Sequence, residues 1–288
     1  MSKIMLQTVV ADLDRLPALP EVVQDLIDYL QHPEVDVGQV AQRITRDAAL
    51  TAKVLRVANS SFYGLQSQVA TIPDALAILG LRAVSTLVTG AAVVAHFQTL
   101  AVAGYDQRAF WLHNAGTALC ARMLARQVDA NTLNPRAGTS PENAFTAGLL
   151  HDIGRLILAA RFPEEYRRVA FYRAEHDCHP IEAEHEVLGF DHAQIGAALA
   201  ARWKFPPEIA AAIASHHTPM DQAADSLASL IHLADVMAHV LEFPGGEEDL
   251  VPRLSSGAWD RLGIGWGEFK RLLGEVNVQR DEAERLLN

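Results

Sequence analysis

The strongest constraint on the fold of this chain is that its apolar residues recur with the period of an α-helix along nearly its whole length. Two early segments carry such stripes: Val22, Leu26, Ile27 and Leu30 in Leu19–Gln31, and Val37, Val40, Ala41 and Ile44 in Asp36–Asp47. No segment shows the sustained alternation that is typical of a β-strand. We therefore predict an all-α fold.

Local signals predict where several of these helices begin and end. Asp47 is placed to cap a helix that runs through TAKVLRVAN, and the segment TIPDALAILG has Thr71 near its start and Gly80 at its end. Another helix follows at once in LRAVSTLVTGAAVVAHF, and LLHDIGRLILAA is expected to form one continuous helix with an apolar stripe. The chain is therefore expected to consist of helices joined mainly by short turns.

Breaks in the helical pattern divide the chain into three parts. Turn-forming residues cluster at Ala101–Gln107, at Asn131–Asn143 and at Pro244–Asp249. We predict an N-terminal helical module over 1–100, a second helical domain over 101–250 and a helical extension over 251–288. Two helices are expected in the extension, with Trp259, Leu262 and Trp266 in the first and Leu272, Leu273 and Val276 in the second.

Charge and cysteine content restrict the class of protein. The formal net charge is −11, which argues against a general nucleic-acid binder, because such proteins need a basic surface. The only cysteines are Cys120 and Cys178, with no CxxC spacing, and the N-terminus has no apolar core of signal-peptide length. The most apolar run, Val84–Val94, is too short to span a bilayer. We expect a cytoplasmic protein with no membrane partner.

An adjacent histidine and aspartate, His151 and Asp152, interrupt the apolar run GLLHDIGRL. A carboxylate beside a buried stripe costs several kcal/mol unless it is paired, hydrogen-bonded or bound to a metal. A buried Asp–Arg or Asp–backbone pair with His151 as a partner is as good an interpretation as a ligand role.

Two further histidines lie on inward faces of predicted helices. His113 shares its face with small residues such as Gly116 and Thr117, although a lone histidine there is more often a satisfied core residue. His192 opens the helix DHAQIGAALAARW, where Asp191 and Gln194 suit a capping box. A ring in that first turn can reach a pocket, or it can be an ordinary polar residue at a helix start.

The last candidates lie at a helix end and on an apolar helix. His216 and His217 end PPEIAAAIASHH, where histidines also complement the helix dipole. Asp235 is expected at the border of an apolar stripe, exposed enough to pair with His232 and His239 on a solvated face.

Together these residues point to metal chemistry. Imidazole nitrogens and carboxylate oxygens from five separate helices are ligands for first-row divalent metals. Such a set could hold one ion or two, activate a water molecule and drive hydrolysis of a phosphate ester.

Several long motifs in this order resemble the HDOD family, the signal-transduction relatives of the HD phosphohydrolases. The N-terminal blocks are LPALPEVVQDLI, RDAALTAKVLRVANSSFYG and IPDALAILGLRAV. The HD-like blocks are WLHNAGTALCARMLA, AFTAGLLHDIGRLIL, EHEVLGFDHAQIGAALAARWKFPPEIAAAIASHHTP and HLAD. The resemblance covers about residues 12 to 240 and implies an N-terminal helical module followed by an HD-like helical domain.

The resemblance also implies roles for particular residues. It assigns a primary metal site to His113, His151, Asp152 and Asp235, and a second to His192, His216 and His217. The implied cofactors are one or two ions of Fe, Mn, Zn or Ni, with Asp152 and Arg155 as catalytic residues. Arg155 stands where HD-GYP phosphodiesterases have a lysine, and their HHE and Gly-Tyr-Pro stretches are absent, which argues against cyclic-di-GMP hydrolysis.

Three functions remain open from the sequence. The first is a signalling protein that acts by contact with a regulatory partner (a kinase, response regulator or transcription factor), with a metal or a nucleotide as ligand. The second is a metal-dependent phosphohydrolase acting on a phosphodiester or nucleotide. The third, nucleic-acid binding through Arg43, Arg46, Lys53 and Arg56, is disfavoured because these residues fit a solvated face equally well.

Overall fold

The computed structural model describes residues 4–16, 18–31, 36–60, 63, 65, 68–98, 102, 105–131, 140–219, 226–244 and 250–287. Throughout these ranges the chain is helical, with turns and short connections and no strand, which confirms the all-α prediction. The first helices are α1 (Leu6–Asp12), a 3-10 turn (Leu13–Arg15), α2 (Glu21–Gln31), α3 (Val37–Arg46), α4 (Ala48–Ala58) and α5 (Ile72–Gln98).

The middle of the chain contains eight helices within the described ranges. They are α6 (Gln107–Asn131), α7 (Pro141–Leu150), α8 (Ile153–Arg161), α9 (Pro163–His176), α10 (Pro180–Val187), α11 (His192–Arg202), α12 (Pro207–Ser215) and α13 (Ser226–Val240). The long helix α6 lies at the centre of the fold, because α7, α13, α15 (Trp266–Val278) and α16 (Arg280–Leu287) all pack against it. The site-bearing helices α7 and α13 are therefore positioned by α6.

Side-chain caps fix the start of α3 and α4. Asp36 accepts a hydrogen bond from the backbone N–H of Gly38 at 2.8 Å, and Asp47 accepts one from Leu50 at 2.9 Å. The predicted cap at Asp47 is confirmed. One stripe assignment was wrong, because Val37 lies in the first turn of α3 and is 45% exposed. On α2, Val22 is partly buried and packs against the core beside the fully buried Val23.

Helix α5 changes direction at Gly80, where φ is +81°, so this glycine ends the first helical segment as predicted. The whole of α5 is longer than the apolar run identified from the sequence. By length and composition alone it could cross a membrane, yet 61% of its most apolar 18-residue window is buried in the fold. Burial of this kind is typical of the core helix of a globular protein.

Ion pairs join the N-terminal helices to the second half of the chain. Arg161 at the end of α8 donates two hydrogen bonds to Asp12, at 2.7 and 3.1 Å, and Arg202 at the end of α11 pairs with Asp14. Two hydrogen bonds from the planar guanidinium of Arg161 to the two carboxylate oxygens of Asp12 fix the relative orientation of α1 and α8 better than a single hydrogen bond would.

The tail differs from the prediction. Beyond Pro252 there are three helices among the described residues rather than two: α14 (Ser256–Leu262), α15 and α16. Trp266 opens α15 instead of ending α14, because Gly263, at φ +62°, closes the earlier helix. Helix α16 contacts α4, α5 and α6 together.

Parts of the three predicted loops lie outside the described residues, namely 101, 103–104, 132–139 and 245–249.

Candidate metal centre

The seven candidate ligands come from five places in the fold and meet in one buried cluster. His113 lies on α6, His151 and Asp152 between α7 and α8, His192 at the start of α11, His216 and His217 directly after α12, and Asp235 on α13. Six of the seven are 4% exposed or less, and His217 is half-buried. The structure therefore brings together the whole set that the sequence identified.

The His151–Asp152 pair does not lie within a continuous helix, contrary to the prediction. Helix α7 ends at Leu150, and α8 begins at Ile153 after Asp152 adopts φ −100° and ψ 6°. Neighbouring side chains on a regular helix point about 100° apart. The break instead lets both side chains face the cluster, with His151 Nε2 3.7 Å from Asp152 Oδ2.

Two glycines in the stretch GLLHDIGRL allow this segment to enter the core. A Cβ on Gly148 would lie 2.8 Å from the backbone of Ala118 on α6. A Cβ on Gly154 would lie 2.0 Å from the carbonyl oxygen of His192 on α11. Any larger residue at either position would separate the helices that carry the ligands.

The first group of donors surrounds Asp235. Its Oδ1 atom lies 3.0 Å from Nε2 of His113 and 3.8 Å from Nε2 of His151. His113, His151 and Asp152 each offer an atom within 4.8 Å of the others. This group corresponds to the predicted primary site.

The second group of donors surrounds the Oδ1 oxygen of Asp152. Its Oδ1 atom lies 3.0 Å from Nε2 of His192 and 3.7 Å from Nε2 of His216, while His217 Nε2 is 2.9 Å from His192 Nε2. Oδ2 of Asp152 faces His151 instead and accepts a hydrogen bond from Arg155 at 2.9 Å. Asp152 is thus the carboxylate shared by the two groups.

Hydrogen bonds fix the orientation of two of the imidazole rings in the same sense. Nδ1 of His151 lies 2.7 Å from the carbonyl oxygen of Gly148, and Nδ1 of His216 lies 2.7 Å from that of Ile213. A carbonyl oxygen only accepts, so both Nδ1 atoms carry the hydrogen and both Nε2 atoms present a lone pair to the cluster. Metal-binding histidines are typically held this way.

Several buried polar atoms of the cluster have no hydrogen-bond partner among the described residues. They are Nε2 of His151, Nε2 of His216 and Nδ1 of His113. Nε2 of His113 pairs with Oδ1 of Asp235 at 3.0 Å, so the geometry is compatible both with a paired core histidine and with a ligand role. The donor set and its unsatisfied lone pairs fit a divalent cation, which would coordinate these same atoms.

Burial keeps two rings of the cluster neutral. It lowers the pKa of His151 to about 4, against the opposing pull of Asp152 and Asp235. It also lowers the pKa of His217 well below the usual range, and the neighbouring His216 adds to the effect. Neutral imidazole is the form that binds metal.

The surroundings of His192 instead attract positive charge. Burial opposes its protonation, but the carboxylates of Glu184 and Asp152 outweigh burial and raise its pKa to about 10. Despite burial, the pKa of Asp152 and that of Asp235 both lie well below the usual range. In the metal-free protein a proton on His192 therefore occupies the place where a cation would interact most favourably.

Asp235 is not at an exposed border, contrary to the prediction. It is 3% exposed, because α13 is buried on every side from Ser226 to Ala238. His232 is buried as well, with Nδ1 2.9 Å from the carbonyl oxygen of His216 and Nε2 accepting from the backbone of Ser255. It therefore supports the segment that carries His216.

Sequence reasoning missed Glu184 beside the cluster, and it expected the pair of Asp235 with His239 on a solvated face rather than at the cluster. Glu184 on α10 is 2% exposed, and its Oε2 atom lies 2.7 Å from Nδ1 and 2.8 Å from the backbone nitrogen of His192. His239 on α13 places Nδ1 3.1 Å from Oδ1 of Asp235. The one available signal for Glu184 was an acidic residue on the short helix before the His192 capping box.

A cavity of about 290 Å³ opens beside the cluster. Its wall combines the metal-binding side with cationic and apolar residues. The lining includes Asp152, His192, His217, Asp235, Arg155, Arg253, Ile181, Leu250 and Pro252. Such a combination can take a small anion with an attached apolar group.

Comparison with known proteins agrees with this arrangement. The family model for the HDOD domain matches residues 16–219. A candidate phosphohydrolase of Shewanella amazonensis SB2B has a similar structure, with TM-score 0.76, 30% identity, and coverage of 97% of this chain and 98% of the other. An HDOD domain protein of unknown function from Geobacter sulfurreducens gives TM-score 0.76 and 26% identity, covering 96% and 97%.

Two further relatives are longer than this chain. A candidate signal-transduction protein of Marinobacter aquaeolei VT8 gives TM-score 0.75 and 25% identity over all of this chain and 62% of its own. An uncharacterised protein of Treponema pallidum (strain Nichols) is 25% identical over 243 residues, 84% of this chain. The chain spans 45% of the length of that relative.

Proposed function

The chain belongs to the HDOD family, and from that premise we propose that it is a regulatory protein of signal transduction whose HD-like domain binds one or two divalent transition-metal ions. The observation that carries the proposal is a set of buried histidine and aspartate donor atoms within reach of one another, in which Nε2 of His151 and His216 and Nδ1 of His113 have no partner among the described residues. Buried polar atoms of this kind are stabilised when a cation coordinates them.

The distances favour two positions that share Asp152. The first is formed by His113, His151, Asp152 and Asp235. The second is formed by Asp152 with His192, His216 and His217. Donor sets of imidazole and carboxylate suit Fe, Mn, Zn or Ni.

Elemental analysis of protein purified without chelator or affinity nickel tests this assignment. Wild type is expected to carry about one or two equivalents of metal. Asp152→Asn, which removes the shared carboxylate with little change of shape, is expected to carry far less, whereas the exposed-site control His176→Gln retains wild-type content. Metal-free wild type, or an Asp152→Asn protein that is folded and fully loaded, would overturn the assignment.

The regulatory partner (a kinase, response regulator or transcription factor) is proposed to bind the N-terminal module through an acidic amphipathic helix. A groove of about 1050 Å³ lies between α3 and the first turns of α5, with apolar walls that include Ala41, Ile72 and Leu76 and with Arg46 at its edge. Within α3 and α4 there are four basic residues and no acidic one. Of these four, Arg46 borders the groove while Arg43 pairs with Asp25, so Arg46 is the charge that favours an acidic partner there.

A pair of matched substitutions tests this surface. Ala77 lines the groove, and Ala49 is an exposed alanine on α4 outside it. A partner captured by the wild-type protein should be lost with Ala77→Arg and kept with Ala49→Arg, and its bound segment should be helical and acidic. Equal capture by both variants, capture of nothing by wild type, or a partner that proves to be a second copy or DNA would refute the proposal.

Hydrolysis of a phosphate ester is a second candidate function, favoured by the cavity beside the cluster. When bound, a divalent ion would supply Lewis-acid polarisation and activation of water. Arg155 lines the cavity and has five N–H donors, so it can hold Asp152 and a phosphate oxygen at once. Asp152 accepts the hydrogen bond that orients Arg155, and the apolar residues of the cavity wall limit access of water.

Turnover of bis(p-nitrophenyl) phosphate and of nucleoside phosphates by metal-loaded protein tests this activity. Arg155→Met is expected to raise KM more than it lowers kcat, since it removes a phosphate contact that lies beside the metal ligands. Loaded wild-type protein that hydrolyses neither class of substrate would eliminate the candidate.

The domain limits and the location of the protein also remain proposals. We divide the chain at about residues 100 and 250, and helix α16 of the third part packs across both of the others. We place the protein in the cytoplasm, where Cys120 and Cys178, both unpaired, would stay reduced. Nucleic-acid binding remains disfavoured, because Arg43 pairs with Asp25 within the module.

A further inference from the structure

We propose that Arg253 forms a second anion-binding position in the cavity beside the metal cluster, so that the preferred ligand is a small phosphate ester whose apolar body carries a second anionic group. The inference rests on the proposed phosphate contact of Arg155 and goes beyond it. It assigns a residue outside the predicted set and names the class of ligand that the cavity selects.

Arg253 reaches the cavity from a part of the chain beyond the HDOD match. The match ends at residue 219, whereas Leu250, Pro252 and Arg253 all line the cavity. Arg155, in the first turn of α8, lines the same cavity. The wall therefore carries two arginines from segments that lie far apart in the sequence.

The backbone near Arg253 is fixed to the cluster. The backbone N–H of Ser255 donates to Nε2 of His232 at 3.0 Å, and Nδ1 of His232 lies 2.9 Å from the carbonyl oxygen of His216. The hydroxyl oxygen of Ser255 also caps α14 by accepting from the backbone N–H of Ala258 at 3.2 Å. Arg253 lies two residues before this anchor, so a ligand that binds it pays little to order the chain.

The other charged side chains of the cavity wall already have partners. Arg155 donates to Asp152 at 2.9 Å, and Asp235 faces histidines of the cluster. Glu182 accepts a hydrogen bond from a backbone N–H at 3.2 Å in the capping box of α10. Among the described residues, the guanidinium of Arg253 has no hydrogen bond or ion pair, so its charge is available to an anion in the cavity.

The size and apolar surface of the cavity restrict the ligand further. The volume of about 290 Å³ is at the lower limit for small-molecule sites, which is about 300 Å³. Ile181, Leu250 and Pro252 give the wall an apolar part. A ligand that satisfies both arginines and this apolar surface has two anionic groups on a short apolar body.

A simpler role for Arg253 is that of a solvated surface arginine, since the residue is exposed, and the chain contains a control for it. Arg82 on α5 is also exposed and does not line the cavity. Arg253→Met and Arg82→Met each remove one positive charge from the chain. Only the first removes a charge from the cavity wall, so any effect of net charge alone is the same in both variants.

Calorimetric titration of the full-length protein with benzylphosphonate and 4-carboxybenzylphosphonate tests the inference. The two probes differ only in the second anionic group, and their C–P bond prevents turnover by a phosphohydrolase. The 3-carboxy isomer is titrated as well, because it places the carboxylate at a different distance from the phosphonate. Wild type is expected to bind one of the carboxylated probes about fivefold more tightly than benzylphosphonate, as for a partly exposed ion pair.

The variants assign this preference to one residue. Arg253→Met should abolish the preference and leave the affinity for benzylphosphonate unchanged, whereas Arg253→Lys should keep part of it. Arg82→Met should match wild type, and Arg155→Met should weaken the binding of all three probes by a similar factor. Equal affinity of wild type for the plain and carboxylated probes, or a preference that survives Arg253→Met, would overturn the inference.

Metal content measured on the same samples separates this inference from the proposed function. A preference that depends on Arg253 in protein that binds no metal would support the inference and refute the metal centre. Equal affinities in metal-loaded protein would refute the inference and leave the metal centre in place. Wild-type protein that binds none of the probes would refute both the phosphate contact of Arg155 and the inference.

Discussion

Replacing Gly154 by alanine should damage both the stability of the fold and the second metal position. In an ordinary helix interior, glycine to alanine stabilises by about 0.5–1 kcal/mol, because alanine loses less backbone entropy on folding. At Gly154 the added Cβ would lie 2.0 Å from the carbonyl oxygen of His192, whereas ordinary contact begins at 3.4 Å. Helices α8 and α11 must therefore separate by about 1.4 Å.

Separation by that amount affects the contacts that His192 makes. Its Nε2 atom lies 3.0 Å from Oδ1 of Asp152, just before α8, so the shift moves this distance beyond hydrogen-bonding range. Overpacking of a core costs about 1–3 kcal/mol. Because this exceeds the gain in helix propensity, we expect a net destabilisation of about 1–2 kcal/mol.

Urea denaturation and metal analysis measure the two effects. Gly274→Ala is the matched control, since a Cβ there meets nothing within 4 Å and the residue lies inside α15. The control should equal or exceed the stability of wild type, while Gly154→Ala should fall below it and lose metal from the second position first. A Gly154→Ala protein as stable as the control, with full metal content, would refute the close approach of α8 and α11.

Three other perturbations test separate parts of the structure. Glu184→Gln should lower the pKa of His192 from about 10 in the metal-free protein, which an NMR titration would show. It should also weaken metal binding at the second position by about 10–100-fold in a metal-competition assay, whereas substitution of the exposed Glu186 by glutamine should do neither. Acidification of the metal-free protein from about pH 6.5 to pH 4 should lower its free energy of unfolding. Histidines of the unfolded chain gain protons over this range, whereas burial holds the pKa of His151 in the folded protein at about 4. A free energy of unfolding, measured with urea, that does not change over this range would contradict a neutral buried His151 ring. Arg122→Met should lower the free energy of unfolding by about 3 kcal/mol, because Arg122 is 1% exposed and donates hydrogen bonds to Tyr63 and Glu142. Adding Glu142→Gln should recover part of this loss. An unchanged melting temperature for Arg122→Met alone would show that the Arg122–Glu142 pair contributes nothing to stability.

The helical class could be predicted from the sequence, and the candidate ligands could be named from it, because both depend on local patterns. Helical periodicity identified the segments, and capping residues such as Asp47 and Asp191 marked their starts. Motifs shared with the HDOD family brought distant histidines into one hypothesis. Seven candidate ligands that lie far apart along the chain could be named for this reason.

Errors arose where packing by several neighbours decides the outcome. Helix α13 contains almost no polar face, so the sequence could not show that α6, α7, α12 and α14 together enclose Asp235. The turn between His151 and Asp152 was hidden in an apolar run that reads as continuous helix. Glu184 was missed and the Asp235–His239 pair was expected on a solvated face, because the surroundings of both are decided only after the helices have packed.

The candidate ligands of the proposed metal centre lie on both sides of the end of the HDOD match, and if they bind metal this would affect how the protein matures in a cell. The family match ends at residue 219, before α13 brings Asp235 to the cluster. A nascent chain therefore cannot complete the centre until α13 has left the ribosome and docked on α6. A metal site that forms only when every helix is in place binds metal only in the native state. The free energy of metal binding would therefore add to the stability of the native state. In metal-poor cells more of the newly made protein would remain unfolded and open to proteolysis, so its abundance would follow metal supply.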